Sequence, residues 1–160
     1  MTTTSTHETE ITVDPDVPIV RITREFDAPP EKVFRAHVDP ELFVKWNGPR
    51  NTEMRIEHHD CRTGGSYRYV HVSDGVEYGF YGSFHEVRPA EVIVQTFTFD
   101  GMPDGVALER LVLEDLGNGR TRLTSTSLLD SFEGRDAMVA SGMEYGIREG
   151  YERLDEVLAG

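Results

Sequence analysis

The residues of this sequence best suited to acid–base chemistry are a histidine and a glutamate in strand-like segments. His71 ends the run Ser-Tyr-Arg-Tyr-Val-His, where a period of two places it on one face with Tyr67 and Tyr69. Glu109 lies among aliphatic residues, and alternation groups it with the leucines two and four positions later, so its carboxyl is expected to face inward. Burial would raise its pKa, as acid–base catalysis requires, although a salt bridge at a cavity mouth would use the same residue. His71 and Glu109 are therefore candidate catalytic residues.

The segment closest in type to a metal site is His58-His59-Asp60-Cys61, since all four side chains can ligate zinc. Adjacent residues in a strand point to opposite faces, so at most two of the four could share one ion. The other histidines have no short paired spacing that would complete a set. We expect no metal and no other cofactor, and Cys61, which lacks any signature of an activating base, is expected to be inert.

Aromatic side chains in the central segments favour binding chemistry instead. The same alternation groups Tyr78 with Phe80, and Phe97 with Phe99. An ordinary core is one interpretation, but a buried tyrosine hydroxyl needs a partner, whereas a ligand pocket combines aromatic rings with a few polar anchors. The residues expected to contact a ligand are Trp46, Tyr67, Tyr69, His71, Tyr78, Phe80, Phe97, Phe99, Met143 and Gly146.

The elements that must position these residues follow from sequence periods. Residues 17–26 alternate like a half-buried first strand. Asp27-Ala-Pro-Pro and Asp39-Pro40 are helix-start signals, and each precedes a short apolar period, so two short helices are expected before the break at Asn47-Gly48-Pro49. Six β-rich runs joined by hairpin-length connectors predict an antiparallel meander, at residues 54–59, 66–72, 76–87, 92–99, 106–114 and 121–128.

Residues 130–159 are expected to form one long amphipathic helix, because apolar side chains recur at steps of three or four from Ala140 to Leu158. Beside them stands a glycine row, Gly142, Gly146 and Gly150, although a mid-helix glycine costs ~1 kcal/mol relative to alanine. The row indicates either close packing of neighbouring side chains or room for a ligand. Together these elements predict an α+β fold with its helices on one face of the sheet.

Composition limits the classes of partner. At 160 residues the chain most simply forms one domain, expected at residues 17–160 after a flexible tail at residues 1–16. A net charge of −13 without a basic run argues against nucleic acid and against an anionic membrane surface. The single cysteine excludes an intramolecular disulfide, and no apolar run has the length of a membrane helix, so we expect a cytoplasmic protein.

Six segments carry a resemblance to a known family. They are DAPPEKVF at 27–34, DPEL at 39–42 followed by Trp46, DCRTGGSY at 60–67, GSFHEVRP at 82–89, GRTRLT at 119–124 and GYERLDEVL at 150–158. Their order and spacing resemble the Hsp90-ATPase-activator-like branch of the START/Bet v 1 superfamily. The resemblance implies a helix-grip fold, in which a curved antiparallel sheet wraps around a long C-terminal helix and encloses a cavity, with two short helices after the first strand. Cys61, Thr63 and Tyr151 depart from the family's usual leucine, proline and tryptophan.

These observations favour a protein that binds a small hydrophobic or aromatic molecule between the sheet and the C-terminal helix. The resemblance also permits a cyclase-like or hydrolase-like enzyme acting on a polyketide-like molecule, although we expect binding rather than turnover. A third alternative is an Hsp90-type chaperone partner, which is weaker because the family's namesakes carry an additional amino-terminal domain. A homodimer through exposed strand edges is compatible with the sequence.

Overall fold

The computed structural model describes residues 7–160, in which eight antiparallel strands form one curved sheet in the order β1-β2-β8-β7-β6-β5-β4-β3. In chain order the elements are β1 (Glu10–Val13), β2 (Ile19–Phe26), α1 (Pro30–Val38), α2 (Pro40–Phe43), β3 (Glu53–His59), β4 (Ser66–Ser73), β5 (Val76–Arg88), β6 (Val92–Phe99), β7 (Ala107–Gly117), β8 (Arg120–Leu128), α3 (Phe132–Ala140) and α4 (Met143–Ala159). In this described part of the chain, no helix is long and apolar enough to cross a membrane.

The predicted meander and the two short helices are confirmed. Each strand from β3 to β8 pairs with the next, and β8 then pairs along the whole of β2, from Ile19 opposite Leu128 to Phe26 opposite Thr121. Helix α1 begins at Pro30, where the missing N–H does no harm, and Asp39 caps α2 by accepting a hydrogen bond of 2.9 Å from the Glu41 N–H.

The prediction of a flexible tail at residues 1–16 is wrong for four of these residues. Strand β1 adds to the free edge of β2, with Glu10 opposite Thr23 and Val13 opposite Val20. A polar segment can form such a strand because the ladder uses backbone groups, and here Ile11 also packs against the core. Residues 1–6 lie outside the described residues.

The prediction of a single helix at residues 130–159 is also wrong, because the helix is interrupted between α3 and α4. Gly142 lies at the break with φ of 89°, in the left-handed region that commonly ends a helix. Ser131 caps the start of α3 by accepting a hydrogen bond of 3.0 Å from the Gly134 N–H. The apolar period alone could not predict the break, since it runs from Ala140, the last residue of α3, into α4 without an irregular step.

Helix α4 closes one end of the curved sheet. Tyr151, Leu154 and Leu158 pack in one buried cluster with Phe26 and Leu123. The glycine row serves close packing at Gly150, where an added Cβ would lie 3.2 Å from both the Trp46 carbonyl oxygen and the Gly48 nitrogen. This glycine therefore lets the loop after α2 approach the helix backbone.

Candidate functional site

The aromatic side chains predicted to share a face do form one continuous surface on β4, β5 and β6. Phe80 lies at its centre, with ring centroids 5.3 Å from Phe97, 5.4 Å from Phe99 and 5.6 Å from Tyr69. His71 lies 5.8 Å from the same ring. We call the inner side chains Tyr67, Tyr69, His71, Tyr78, Phe80, Phe97 and Phe99 the aromatic face.

The aromatic face is covered at one end and open at the other. Tyr67 and Tyr69 are buried, because residues of α1 and α2 pack over them. Phe80, Phe97 and Phe99 remain half-buried, and Tyr78 is 40% exposed. The chain therefore leaves apolar ring surface uncovered on the inside of its own sheet.

A cavity of about 50 Å³ lies under the covered end. Its walls are His37, Phe43, His59, Cys61, Tyr67, Tyr69, Phe84, Ile93, Gln95 and Leu111. None of these residues comes from α3 or α4, so the cavity lies between the sheet and the two short helices, away from the C-terminal helix where it was expected. A water molecule needs ~10–15 Å³ and ligand pockets are typically ~300–1,000 Å³, so the cavity suits a small group rather than a whole ligand.

Three residues expected to contact a ligand belong neither to the cavity wall nor to the aromatic face. Trp46 is buried in the cluster beneath α4, and its indole N–H donates a 2.9 Å hydrogen bond to the Ala36 carbonyl oxygen. Met143 packs at the edge of the same cluster. A Cβ at Gly146 would lie 3.4 Å from the Pro49 ring, so this glycine faces the loop after α2.

Glu109 points inward, as alternation predicted, and is half-buried. The Ser127 hydroxyl donates to one carboxylate oxygen at 2.9 Å, and the Gln95 amide donates to the other at 3.3 Å. Burial raises the pKa of Glu109 to about 7, and the two hydrogen bonds oppose this rise. A carboxyl with such a pKa can donate or accept a proton near neutral pH.

A hydrogen-bond chain connects Glu109 to the aromatic face. The Gln95 amide also donates to the Tyr67 hydroxyl at 3.2 Å, and that hydroxyl donates to the Thr96 carbonyl oxygen at 2.6 Å. Gly82 permits this arrangement, because a Cβ there would lie 1.9 Å from the Thr96 oxygen. Gln95 was not among the site residues predicted from the sequence, although its position two residues before Phe97 places it on the same face.

The candidate pair of His71 and Glu109 does not form. His71 is opposite Tyr78, whereas Glu109 is opposite Gln95, which is itself opposite Phe84. These two positions on β5 are six residues apart, or roughly 20 Å at ~3.3 Å per residue. The pairing was wrong because alternation shows that two residues share a face of the sheet but not that they lie at the same position along the strand axis.

His71 has a structural environment of its own. Its Nδ1 lies 3.5 Å from the Thr52 hydroxyl oxygen. Burial, followed by the positive charge of Arg153, lowers the pKa of His71 to about 4. The ring is therefore neutral near pH 7 and contributes to the rim of the aromatic face.

Two cavity histidines were not among the predicted site residues. The His37 ring Nδ1 lies 2.8 Å from the Val33 carbonyl oxygen, and the His59 ring Nε2 lies 2.9 Å from the His37 carbonyl oxygen. Burial lowers the pKa of His37 to about 4 and also lowers the pKa of His59. They could not be paired from sequence, because α1 and β3 meet only in the folded chain.

The cysteine and the metal-like run show little sign of reactivity or metal binding. Cys61 lines the cavity, and burial raises the pKa of its thiol to about 12, so it stays protonated. His58 is exposed and His59 faces inward, as adjacent strand positions require. Within residues 7–160 no three His, Cys, Asp or Glu side chains are arranged to hold a metal ion.

The curved antiparallel sheet, the short helices after β2 and the C-terminal helix packed inside the sheet define a helix-grip fold. The family model described as "Activator of Hsp90 ATPase homolog 1-like protein" matches residues 27–159, and the chain belongs to this family. The resemblance noted in the sequence is thereby confirmed. No curated protein sequence matches the chain.

Solved structures from several bacteria share the fold. A protein from Arthrobacter aurescens is 29% identical with a TM-score of 0.85, over 94% of this chain and 91% of that one. A protein from Rhodobacter sphaeroides is 27% identical with a TM-score of 0.82, over 92% and 97% of the two chains. Protein Ms6760 from Mycobacterium smegmatis, at 24% identity and a TM-score of 0.85, covers 93% of this chain and 95% of its own, and shows the fold alone.

Proposed function

We propose that the protein binds a small, largely apolar molecule, with the molecule's rings or chain against the aromatic face and its smaller end in the cavity. The observation that carries this proposal is the half-buried state of Phe80, Phe97 and Phe99. Aromatic and apolar walls with a few polar groups are typical of ligand sites.

The polar groups support the same interpretation. Gln95 lines the cavity and donates hydrogen bonds to the Glu109 carboxylate and to the Tyr67 hydroxyl, so it links Glu109 to a residue of the aromatic face. A ligand on the aromatic face would have its polar end beside a small number of fixed hydrogen-bonding groups. This is how ligand sites obtain orientation and specificity.

The experiment is a calorimetric and thermal-shift titration with 2-naphthol, whose two fused rings match an aromatic wall. We expect saturable binding and a rise in melting temperature, because a ligand that binds only the folded state stabilises it. Phe97→Ala should weaken binding about tenfold through lost ring contact. Leu108→Ala is the matched control, since Leu108 is on the other side of β7 and is 43% exposed.

Two results would contradict the proposal. One is the absence of saturable binding by naphthol and by any molecule recovered by native mass spectrometry from the freshly purified protein. The other is equal loss of affinity in Phe97→Ala and Leu108→Ala, which would assign binding to the outer surface.

A second candidate function is slow turnover of the bound molecule, and the observation that favours it is Glu109. Its pKa of about 7 leaves both protonation states available near neutral pH. Aryl ester and β-keto probes, followed by product release, would detect such activity. Turnover that persists in Glu109→Gln would exclude this residue as the proton donor or acceptor.

A further inference from the structure

Two buried ring nitrogens, on histidines that line the cavity, have no hydrogen-bond partner within residues 7–160. They are His37 Nε2 and His59 Nδ1. His37 as a whole is only 7% exposed, and both residues line the 50 Å³ cavity. Buried polar atoms without partners are uncommon, so this pair needs a physical explanation.

The hydrogen bonds of the two rings fix which nitrogens carry protons. A carbonyl oxygen can only accept, so His37 Nδ1 must donate to Val33 and His59 Nε2 must donate to the His37 carbonyl oxygen. Both rings are neutral near pH 7, because burial lowers the pKa of each. Each ring therefore uses its single N–H in a hydrogen bond, and each unpartnered nitrogen is a hydrogen-bond acceptor.

Nearby donors in the wall are already engaged. The Tyr67 hydroxyl donates to the Thr96 carbonyl oxygen, and the Gln95 amide donates to Tyr67 and to Glu109. The Cys61 thiol lines the same cavity but makes no hydrogen bond to either nitrogen. Within residues 7–160 the two histidines thus keep two hydrogen-bond acceptors that no donor of the cavity wall satisfies.

We propose that the ligand carries a hydrogen-bond donor, a hydroxyl or amino group, which enters this cavity and is bound by His37 Nε2 and His59 Nδ1. The inference rests on the proposed function and specifies the ligand class. The cavity has room for such a group, and Tyr69, which lines it, is 5.6 Å from Phe80 at the centre of the aromatic face. The apolar remainder of the same molecule would lie on that face.

The decisive comparison is between 2-naphthol and 2-methoxynaphthalene, which share their rings but differ in whether the oxygen can donate. Calorimetry should give about tenfold tighter binding for 2-naphthol, the effect of one additional net hydrogen bond in a buried site. Equal binding of both compounds would overturn the inference and leave the proposed function standing. If neither compound binds, both proposals fail.

Two variants remove one unpartnered ring nitrogen each and keep an amide donor for the existing hydrogen bond. In His59→Gln the side-chain amide can still donate to the His37 carbonyl oxygen, and in His37→Asn it can still donate to Val33. Each should weaken the preference for 2-naphthol, and the double variant should bring it to within about twofold, with binding of 2-methoxynaphthalene unchanged. His58→Gln is the control, because His58 is the exposed neighbour of His59. A preference that survives both cavity variants would contradict the assignment.

A measurement on the unaltered protein covers the case in which a variant fails to fold. In protein labelled with ¹⁵N at histidine, the ring nitrogen shifts should show protons on His37 Nδ1 and His59 Nε2. Addition of 2-naphthol should shift the two unprotonated nitrogens, and addition of 2-methoxynaphthalene should not. Opposite tautomers, or identical responses to the two compounds, would overturn the inference.

Discussion

The interior of this protein has two regions built on the same sheet, and they differ in how completely the chain covers them. Beneath the second half of α4, Phe26, Leu123 and Leu154 are each 0% exposed. On the aromatic face, Phe80 and Phe97 are half-buried and Tyr78 is 40% exposed. The first region uses its apolar surface for stability, whereas the second retains apolar surface for another molecule.

The polar groups of the two regions also differ. Beside the packed region, the Arg24 guanidinium donates to both carboxylate oxygens of Asp155 at 2.8 and 2.7 Å, and its Nε has no partner in the described part of the chain. On the other side, Glu109 is held by neutral donors, and His37 and His59 each keep an unpartnered ring nitrogen. The packed region thus holds its carboxylate with a charged partner, whereas the cavity region retains unpaired acceptors, which favour binding.

The largest effect expected from this comparison is in the packed region. Leu154→Ala should lower the free energy of unfolding by ~2–5 kcal/mol, because it leaves a cavity where a fully buried side chain stood. Urea denaturation measures the change. Phe97→Ala, at a half-buried position, should cost less than half as much, and equal losses at the two sites would remove the distinction between the regions.

The next effect is a pH dependence that arises from Glu109. Its folded-state pKa of about 7 is above the ordinary value of 4.5, so the folded state holds the proton more tightly than the unfolded state between these values. The resulting stabilisation is fully present below pH 4.5 and is lost as the pH rises through 7. Glu109→Gln should therefore remove up to ~2 kcal/mol of the fall in stability between pH 5 and pH 8.

Urea unfolding of the wild type and Glu109→Gln at the two pH values measures this effect. The matched control is Glu114→Gln, which removes a charge of the same sign from an exposed position on the same strand. The burial of Glu109 would be contradicted if both variants showed the same pH dependence as the wild type.

A smaller effect separates two glycines of α4. Gly150→Ala places a Cβ 3.2 Å from backbone atoms of Trp46 and Gly48, so it should destabilise the protein by ~1 kcal/mol despite the better helix propensity of alanine. Gly146→Ala meets only the Pro49 ring at 3.4 Å and should stabilise by ~0.5 kcal/mol. Thermal unfolding of both variants tests the pair, and a reversed order would contradict the close-packing role of Gly150.

The sequence predicted the parts of this fold that depend on local periods. The helix-start signals Asp27-Ala-Pro-Pro and Asp39-Pro40 located both short helices, and alternation correctly predicted that Glu109 faces inward. The sequence did not predict β1, because so short a strand depends on the free edge of β2. The sequence also predicted a continuous helix through Gly142, where the backbone conformation rather than the apolar spacing decides the break.

The candidate site was predictable only as a surface. The aromatic face follows from a period of two, but its distances along the strands do not, which is why His71 and Glu109 were paired wrongly. His37 and His59 belong to separate elements and meet through a backbone carbonyl. No side-chain pattern in the sequence indicates such a contact.

The most direct test of the account is backbone and side-chain chemical-shift mapping of the labelled protein during a titration with 2-naphthol. We expect the perturbations to concentrate at Tyr69, Phe80, Phe97 and the rings of His37 and His59. The second half of α4, from Tyr151 to Leu158, should change little. Perturbations centred on that half of α4, or spread over the outer face of the sheet, would contradict the claim that the open aromatic region is the binding site.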